Sequence, residues 1–199
     1  MKKHQLDSVL SVLIAIVILS GCWIPEDFDA QVYVNEDGSY RFTYEGKLVN
    51  VMALSLEKEG KLGKKEESDL KKDVEKLKEL DGFETVKYMG KGRYKVSVDY
   101  RGKAGEAYSF ITEDLQVFSV SFNEENQLLV RGFSPEEDDL QQLKTLGVSM
   151  EGSLTVQVDP GLEVQIHNAD HLSKKTSMNT YKWNIKDVAA KPEIVIALR

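Results

Sequence analysis

The sequence is poor in the residues that build cross-linked, metal-bound or nucleic-acid-binding proteins. Its 199 residues include one cysteine and three histidines, and the formal net charge is −7. A single cysteine cannot form an internal disulfide or a cysteine-rich zinc site. The acidic balance argues against a nucleic-acid binder that works through a broad basic surface. The hydrophobic fraction of 41% is too high for a disordered chain.

The N-terminal apolar run is too short to be a stable membrane span. It covers Val9–Leu19 and is broken only by Ser11. A helix of this length rises about 16 Å, whereas a bilayer span needs roughly 20 residues. Because Lys2 and Lys3 precede it, the run has the form of a secretory signal.

The run ends in Leu19-Ser20-Gly21-Cys22, which resembles the lipobox of bacterial lipoproteins. The resemblance implies cleavage between Gly21 and Cys22, a diacylglyceryl group on the Cys22 thiol, and acylation of the new amine. One acyl chain is a marginal anchor, but two or three chains on one residue hold a protein firmly on a membrane. The alternative is an ordinary signal peptide or anchor with an incidental cysteine.

The predicted organisation has three parts: a signal peptide at 1–21, a lipidated Cys22 with a short tether to residue 31, and a single domain at 32–199. Removing the signal takes away Lys2, Lys3 and Asp7, so the mature chain carries −8. We expect a membrane-anchored, periplasm-facing protein. For a Gram-negative cell, the resemblance to lipoproteins implies the outer membrane, because Trp23 stands where aspartate would retain such a protein in the inner membrane.

Period-two alternation of apolar and polar residues dominates the mature chain and predicts half-buried antiparallel strands. The alternating runs lie at 40–44, 94–100, 118–122, 154–158, 162–167 and 181–185. Turn sequences separate them at 35–39, 90–92, 123–126 and 159–161.

Two helices are predicted between the strands. Residues 66–80 place four leucine and valine side chains on one stripe, and Ser134-Pro135-Glu136-Glu137 forms a capping box before a second leucine stripe that Gly147 closes. Residues 48–60 suit either a helix or a buried strand. The predicted fold is therefore α+β, an antiparallel sheet built from hairpins and packed against two or three helices.

Candidate metal sites each have a simpler interpretation. His167 and His171, with Asp170 beside one of them, would suit zinc on a helix, but the context favours a strand end and a loop. The acidic run 136–139 is typical of a first helical turn. The loop 35–38 has some calcium-loop character, yet a hairpin turn explains it better because it lacks the distal glutamate of an EF-hand.

No catalytic or cofactor motif is present: there is no G-x-S-x-G elbow, no Walker loop and no H-E-x-x-H. We therefore predict no catalytic, metal-binding or cofactor-binding residue. A pair of carboxylates that meet only in the folded protein, as in glycosidases, stays open. The charged segment 57–80 has eight basic and eight acidic residues, which predicts a solvated helix face with i,i+3 and i,i+4 ion pairs rather than a polybasic membrane patch.

Residues 150–186 resemble the closing strands of the mycobacterial LppM-like lipoprotein domain. The similarity lies in the segments 152–158, 161–169 and 180–185. It implies an α+β domain that packs a sheet against helices and binds lipid. The leading hypothesis is a non-enzymatic envelope lipoprotein that binds a lipid or protein partner and no nucleic acid. The alternatives are a carboxylate-dependent envelope hydrolase and an assembly factor for outer-membrane components.

Overall fold

The computed structural model describes residues 23–111, 116–132, 137–187 and 189–198. These residues form three helices and twelve strands. The helices are α1 (Val51–Lys58), α2 (Lys64–Lys78) and α3 (Glu137–Leu146). The strands are β1 (Trp23–Val34), β2 (Tyr40–Asn50), β3 (Phe83–Gly90), β4 (Arg93–Gly102), β5 (Tyr108–Ile111), β6 (Gln116–Phe122), β7 (Gln127–Gly132), β8 (Gly152–Val158), β9 (Glu163–His167), β10 (His171–Lys174), β11 (Asn179–Ile185) and β12 (Glu193–Ala197).

The strands form two sheets. The larger sheet has seven strands in the order β10-β11-β8-β1-β2-β4-β3, and the smaller has five in the order β5-β6-β7-β12-β9. Every described strand pair is antiparallel except β1 with β8, which is parallel. The predicted α+β class with hairpin sheets is confirmed, with two sheets where one was expected.

The two sheets pack face to face through aromatic side chains. Phe42 and Tyr44 of β2 contact Phe110 of β5, with ring centroids 5.3 and 4.5 Å apart. Phe28 of β1 contacts Phe118 of β6 at 5.6 Å. These residues are buried, whereas their neighbours along β2 reach the outer face. The predicted alternation of β2 is therefore confirmed.

The tether predicted for residues 23–31 is wrong. Strand β1 begins at Trp23 and pairs with β2 from Asn50 onwards, and Trp23, Ile24 and Phe28 are buried in the core. A bulge between Glu26 and Asp29 interrupts the pairing, and Asp27 there has φ +47°. The bulge breaks the period-two pattern, so the segment does not have the sequence of a regular strand.

Three of the four predicted turns are confirmed as hairpins. Residues 35–39, 91–92 and 123–126 each join neighbouring antiparallel strands. The turn at 159–161 differs, because it carries the chain from β8 in the large sheet to β9 in the small one. There the Asp159 carboxylate accepts a hydrogen bond from the Gly161 N–H at 2.8 Å.

The helices agree with the sequence patterns apart from their ends. Helix α2 begins two residues before the predicted 66 and ends two residues before 80. The ambiguous segment 48–60 divides, with strand up to Asn50 and helix from Val51. Gly147, at φ +74°, follows α3 as predicted. Residues 134–136 of the predicted capping box 134–137 lie outside the described residues. Within the described ranges, no helix has the length and apolarity needed to cross a bilayer.

Candidate functional site

A groove with a largely apolar surface lies between α1 and α2. It has a volume of about 490 Å³, which falls in the range of roughly 300–1,000 Å³ for small-molecule sites. Its apolar lining comes from both helices: Met52, Ala53 and Leu56 from α1, and Leu70 from α2. The rim carries charged residues of α2, namely Glu66, Asp69, Lys72, Asp73 and Lys76.

Asn50 holds α1 in place at one end of the groove. Its side-chain oxygen accepts a hydrogen bond from the Ala53 N–H at 3.0 Å, which caps the helix. Its own N–H donates to the Gly92 carbonyl at 2.9 Å. Gly92 has φ +70°, and a Cβ there would lie 2.2 Å from the Cβ of Ala53. Only glycine therefore allows this close approach of α1 to the β3–β4 turn.

Tyr94 of β4 ties α2 to the large sheet. Its hydroxyl donates to the Leu70 carbonyl at 2.5 Å, and burial raises the pKa of Tyr94 far above its usual value. The hydroxyl therefore remains a protonated donor across the physiological range. The ring of Trp23 packs on Tyr94 with centroids 4.7 Å apart. The first residue of β1 thus lies against a side chain that positions one wall of the groove.

The exposed side of α2 carries the predicted ion pairs. Lys72–Asp69, Lys76–Asp73 and Lys78–Glu75 are formed at 2.6, 2.9 and 2.9 Å. The i,i+4 spacing of Glu67 and Lys71 predicts one more ion pair. In the structure the Glu67 carboxylate instead accepts hydrogen bonds from the Tyr88 hydroxyl and, at 3.0 Å, from the Lys91 N–H. Glu67 therefore fixes the start of α2 to the β3–β4 turn.

A second concavity, polar in character, lies on the outer face of the large sheet. Its volume is about 460 Å³. On one side, Tyr33 donates to Gln31, Gln31 donates to Asp29, and Ser153 donates to Asp29, at 2.5 to 2.9 Å. These side chains are already bonded to one another, so the face is a connected polar surface.

On the other side of this face, Arg41 binds Asp99 in a two-point contact at 2.8 and 2.6 Å. The hydrogen bonds and positive charge of Arg41 lower the pKa of Asp99. Lys91 and Arg93 act in the same way on Glu57, whose pKa is also lowered. These carboxylates are ionised acceptors held by cations, which is the state of a binding or structural group and not of a proton donor.

The histidine cluster is divided between the two sheets. His167 ends β9 and packs its ring on Tyr181 at 4.8 Å, whereas His171 begins β10, a short strand that the sequence pattern did not predict. Between them, the Asn168 carboxamide accepts hydrogen bonds from the Trp183 indole and the Glu193 N–H at 2.7 and 2.9 Å. The segment is thus a structural link between the sheets.

The loop 35–38, which has some calcium-loop character, is part of a hairpin turn in the structure. In the turn 35–39, the Asp37 carboxylate accepts from the side chain and N–H of Ser39 at 2.6 and 3.0 Å, which confirms the hairpin interpretation. Among residues 23–111, 116–132, 137–187 and 189–198, no group of three or more potential ligands could hold a metal ion. The lipobox residues Leu19, Ser20, Gly21 and Cys22, and Glu136 of the acidic run, lie outside the described residues.

No family model matches the chain, and no curated protein matches it.

The sequence does not predict the groove, because two helices build it together. Leu70 belongs to the apolar stripe predicted for residues 66–80, and Met52 and Leu56 lie in the ambiguous segment 48–60. One signal was present: 48–60 has more apolar residues than a single core-facing stripe requires.

Proposed function

We propose that this chain is a lipid-anchored protein of the bacterial envelope whose domain is a non-enzymatic binding module for an envelope lipid. Three acyl chains at most, attached through Cys22, would hold it on the membrane. In a Gram-negative cell the proposed location is the outer membrane, with the domain facing the periplasm.

The observation that carries the proposal is the position of the apolar groove beside the start of β1. Trp23 pairs with Asn50, which lies at the end of the groove, and it packs on Tyr94, which is bonded to the wall residue Leu70. An acyl anchor on Cys22 would begin one residue earlier. The groove would then lie next to the bilayer, where the accessible apolar ligand is a lipid acyl chain.

Lipid binding accounts for the groove better than hydrolysis accounts for the carboxylates. The resolved pKa shifts of Glu57 and Asp99 are downward because cations face both groups. A general acid needs the opposite shift. An apolar floor with a charged rim is also the usual design of a site for an amphipathic ligand.

The test is photo-crosslinking in cells that are fed a diazirine fatty acid, which the cell incorporates into its phospholipids. The wild type is compared with Leu56→Lys, which places a charge on the groove floor, and with Leu172→Lys, which places one on an exposed leucine of β10. Mass spectrometry identifies the labelled peptides. It therefore distinguishes lipid crosslinked to α1 and α2 from fatty acid attached to Cys22 as the anchor.

We expect crosslinks on α1 and α2 in the wild type and in Leu172→Lys, and their loss in Leu56→Lys. Thermal unfolding of the purified variants checks that each is folded. Equal crosslinking of α1 and α2 in folded Leu56→Lys and in the wild type would refute the groove as the lipid site.

A further inference from the structure

We propose that the domain rests on the bilayer by one defined end, which we call the anchor end, with Met52 and Met89 in contact with the lipid interface. The anchor end comprises Trp23, the start of α1, the start of α2 and the β3–β4 turn. The inference rests on the lipidation of Cys22 in the proposed function. It adds an orientation of the domain and two contact residues.

The absence of a tether sets how close the domain lies. Consecutive Cα atoms are 3.8 Å apart, so the Cα of a lipidated Cys22 is about that distance from Trp23. Trp23 is already paired in the large sheet and is buried. The acyl chains would therefore be attached directly to a strand, and the end of the sheet that carries Trp23 would be held at the membrane surface.

Hydrogen bonds bring the other parts of the anchor end together. The Asn50 N–H donates to Gly92 at 2.9 Å, which joins the start of α1 to the β3–β4 turn. The Lys91 N–H donates to Glu67 at 3.0 Å, which joins the start of α2 to the same turn. These elements therefore approach a membrane at Cys22 as one unit.

Two exposed methionines flank this end. Met52 lies in the first turn of α1 and is 45% exposed, and Met89 lies two residues before Lys91 and is 52% exposed. Met52 precedes Ala53, whose Cβ lies beside Gly92 of the β3–β4 turn, and Met89 is the penultimate residue of the strand that leads into this turn. The flexible thioether side chain of methionine adapts to an irregular partner. The anchor beside them favours lipid as that partner.

Two cations and two carboxylates beside the β3–β4 turn are paired with one another. Lys91 binds Glu57 at 2.7 Å, and Arg93 binds Glu26 at 3.2 Å and Glu57 at 3.5 Å. Such a balanced cluster is neither strongly attracted to nor repelled by an anionic surface. We therefore expect the anchor and the apolar contacts to set the orientation, and the same orientation in neutral and anionic bilayers.

Fluorophore labelling of the lipidated full chain in phosphatidylcholine vesicles tests the orientation. Acylation of Cys22 would leave the protein without a free thiol, so Met52→Cys and Met89→Cys each offer one labelling site for an environment-sensitive probe. Glu124→Cys is the matched control. Glu124 lies in the exposed β6–β7 turn, in which the Asn126 carbonyl accepts a hydrogen bond from the Leu198 N–H. The Leu198 side chain lies beside Gly38 of the β1–β2 turn. Glu124 is therefore near the opposite end of β1 from Trp23.

We expect probes at 52 and 89 to show a blue-shifted emission and quenching by brominated lipid, and the probe at 124 to be quenched by aqueous iodide alone. The pattern should persist when anionic lipid is added. Probes at 52 and 89 that behave like the probe at 124, in protein that floats with the vesicles, would overturn the orientation. Flotation of Cys22→Ala equal to that of the wild type would instead overturn the proposed lipidation.

Discussion

Replacing Asn168 by alanine should weaken the link between the two sheets. The Asn168 carboxamide accepts from the Trp183 indole N–H at 2.7 Å and from the Glu193 N–H at 2.9 Å, and donates to the Lys191 carbonyl at 2.7 Å. Trp183 belongs to the large sheet, and Glu193 begins β12 of the small sheet. One side chain therefore bonds both sheets.

The expected cost follows from the exposure of each partner. A protein hydrogen bond contributes about 0.5–1.5 kcal/mol net, and a buried donor left without a partner costs roughly 1–3 kcal/mol. Trp183 is only 5% exposed, so its indole N–H, left without a partner, accounts for most of the lost stability. Water can replace the other two bonds because Asn168 itself is exposed. We expect Asn168→Ala to lower the free energy of unfolding by about 2 kcal/mol.

Urea unfolding followed by tryptophan fluorescence measures this loss, and the indole N–H resonance of Trp183 reports the broken bond directly. Asn168→Asp keeps the acceptor oxygen and should cost less than half as much. Asn184→Ala, at an exposed asparagine of β11, is the control and should stay within about 0.5 kcal/mol of the wild type. Equal urea midpoints for Asn168→Ala and Asn184→Ala would refute the reasoning.

Two further predictions concern the large sheet. Gly46→Ala should destabilise the protein by about 1–3 kcal/mol, because its Cβ would lie 2.5 Å from the Cβ of Phe28; thermal unfolding with a wild-type melting temperature would contradict this. Asp99→Asn should destabilise most at neutral pH. Arg41 lowers the pKa of Asp99 in the folded protein. The contribution of Asp99 to folding stability is therefore fully present above its unfolded-state pKa and is lost as the pH falls through its folded-state pKa. Urea titrations would contradict the ion pair if the difference in unfolding free energy between Asp99→Asn and the wild type stayed constant down to pH 2.

The strands that the sequence predicted are those whose signal is local. Tyr40, Phe42 and Tyr44 alternate without interruption, and β2 follows from that pattern alone. Strand β1 does not, because Asp27 at φ +47° forms a bulge that shifts the alternation. The parallel pairing of Phe28 with Gly152 joins segments far apart in sequence, and no local pattern carries that information.

The candidate site was predictable only in part for a related reason. The amphipathic stripe of α2 was visible, but a stripe shows that a helix packs and not what it packs against. The groove depends on the distance between two helices, which Asn50, Gly92 and Tyr94 set through contacts with the sheet. The bonds from Asn50 to Gly92 and from Tyr94 to Leu70 join residues far apart in sequence. Gly92 also needs a backbone φ of +70°, which composition does not reveal.

The position of β1 gives the proposed anchor a mechanical consequence. From Asp29 to Val34 this strand is bonded to β2 on one side and β8 on the other. Inter-strand hydrogen bonds lie across the strand direction, so a pull on Cys22 along β1 loads many of them together in shear. An anchor on an edge strand or a flexible tether would instead transmit little orientation to the domain. If the proposed anchor is present, β1 would couple the membrane to the domain through β2 along the whole strand and through β8 from Phe28 onwards, which is what a fixed anchor end requires.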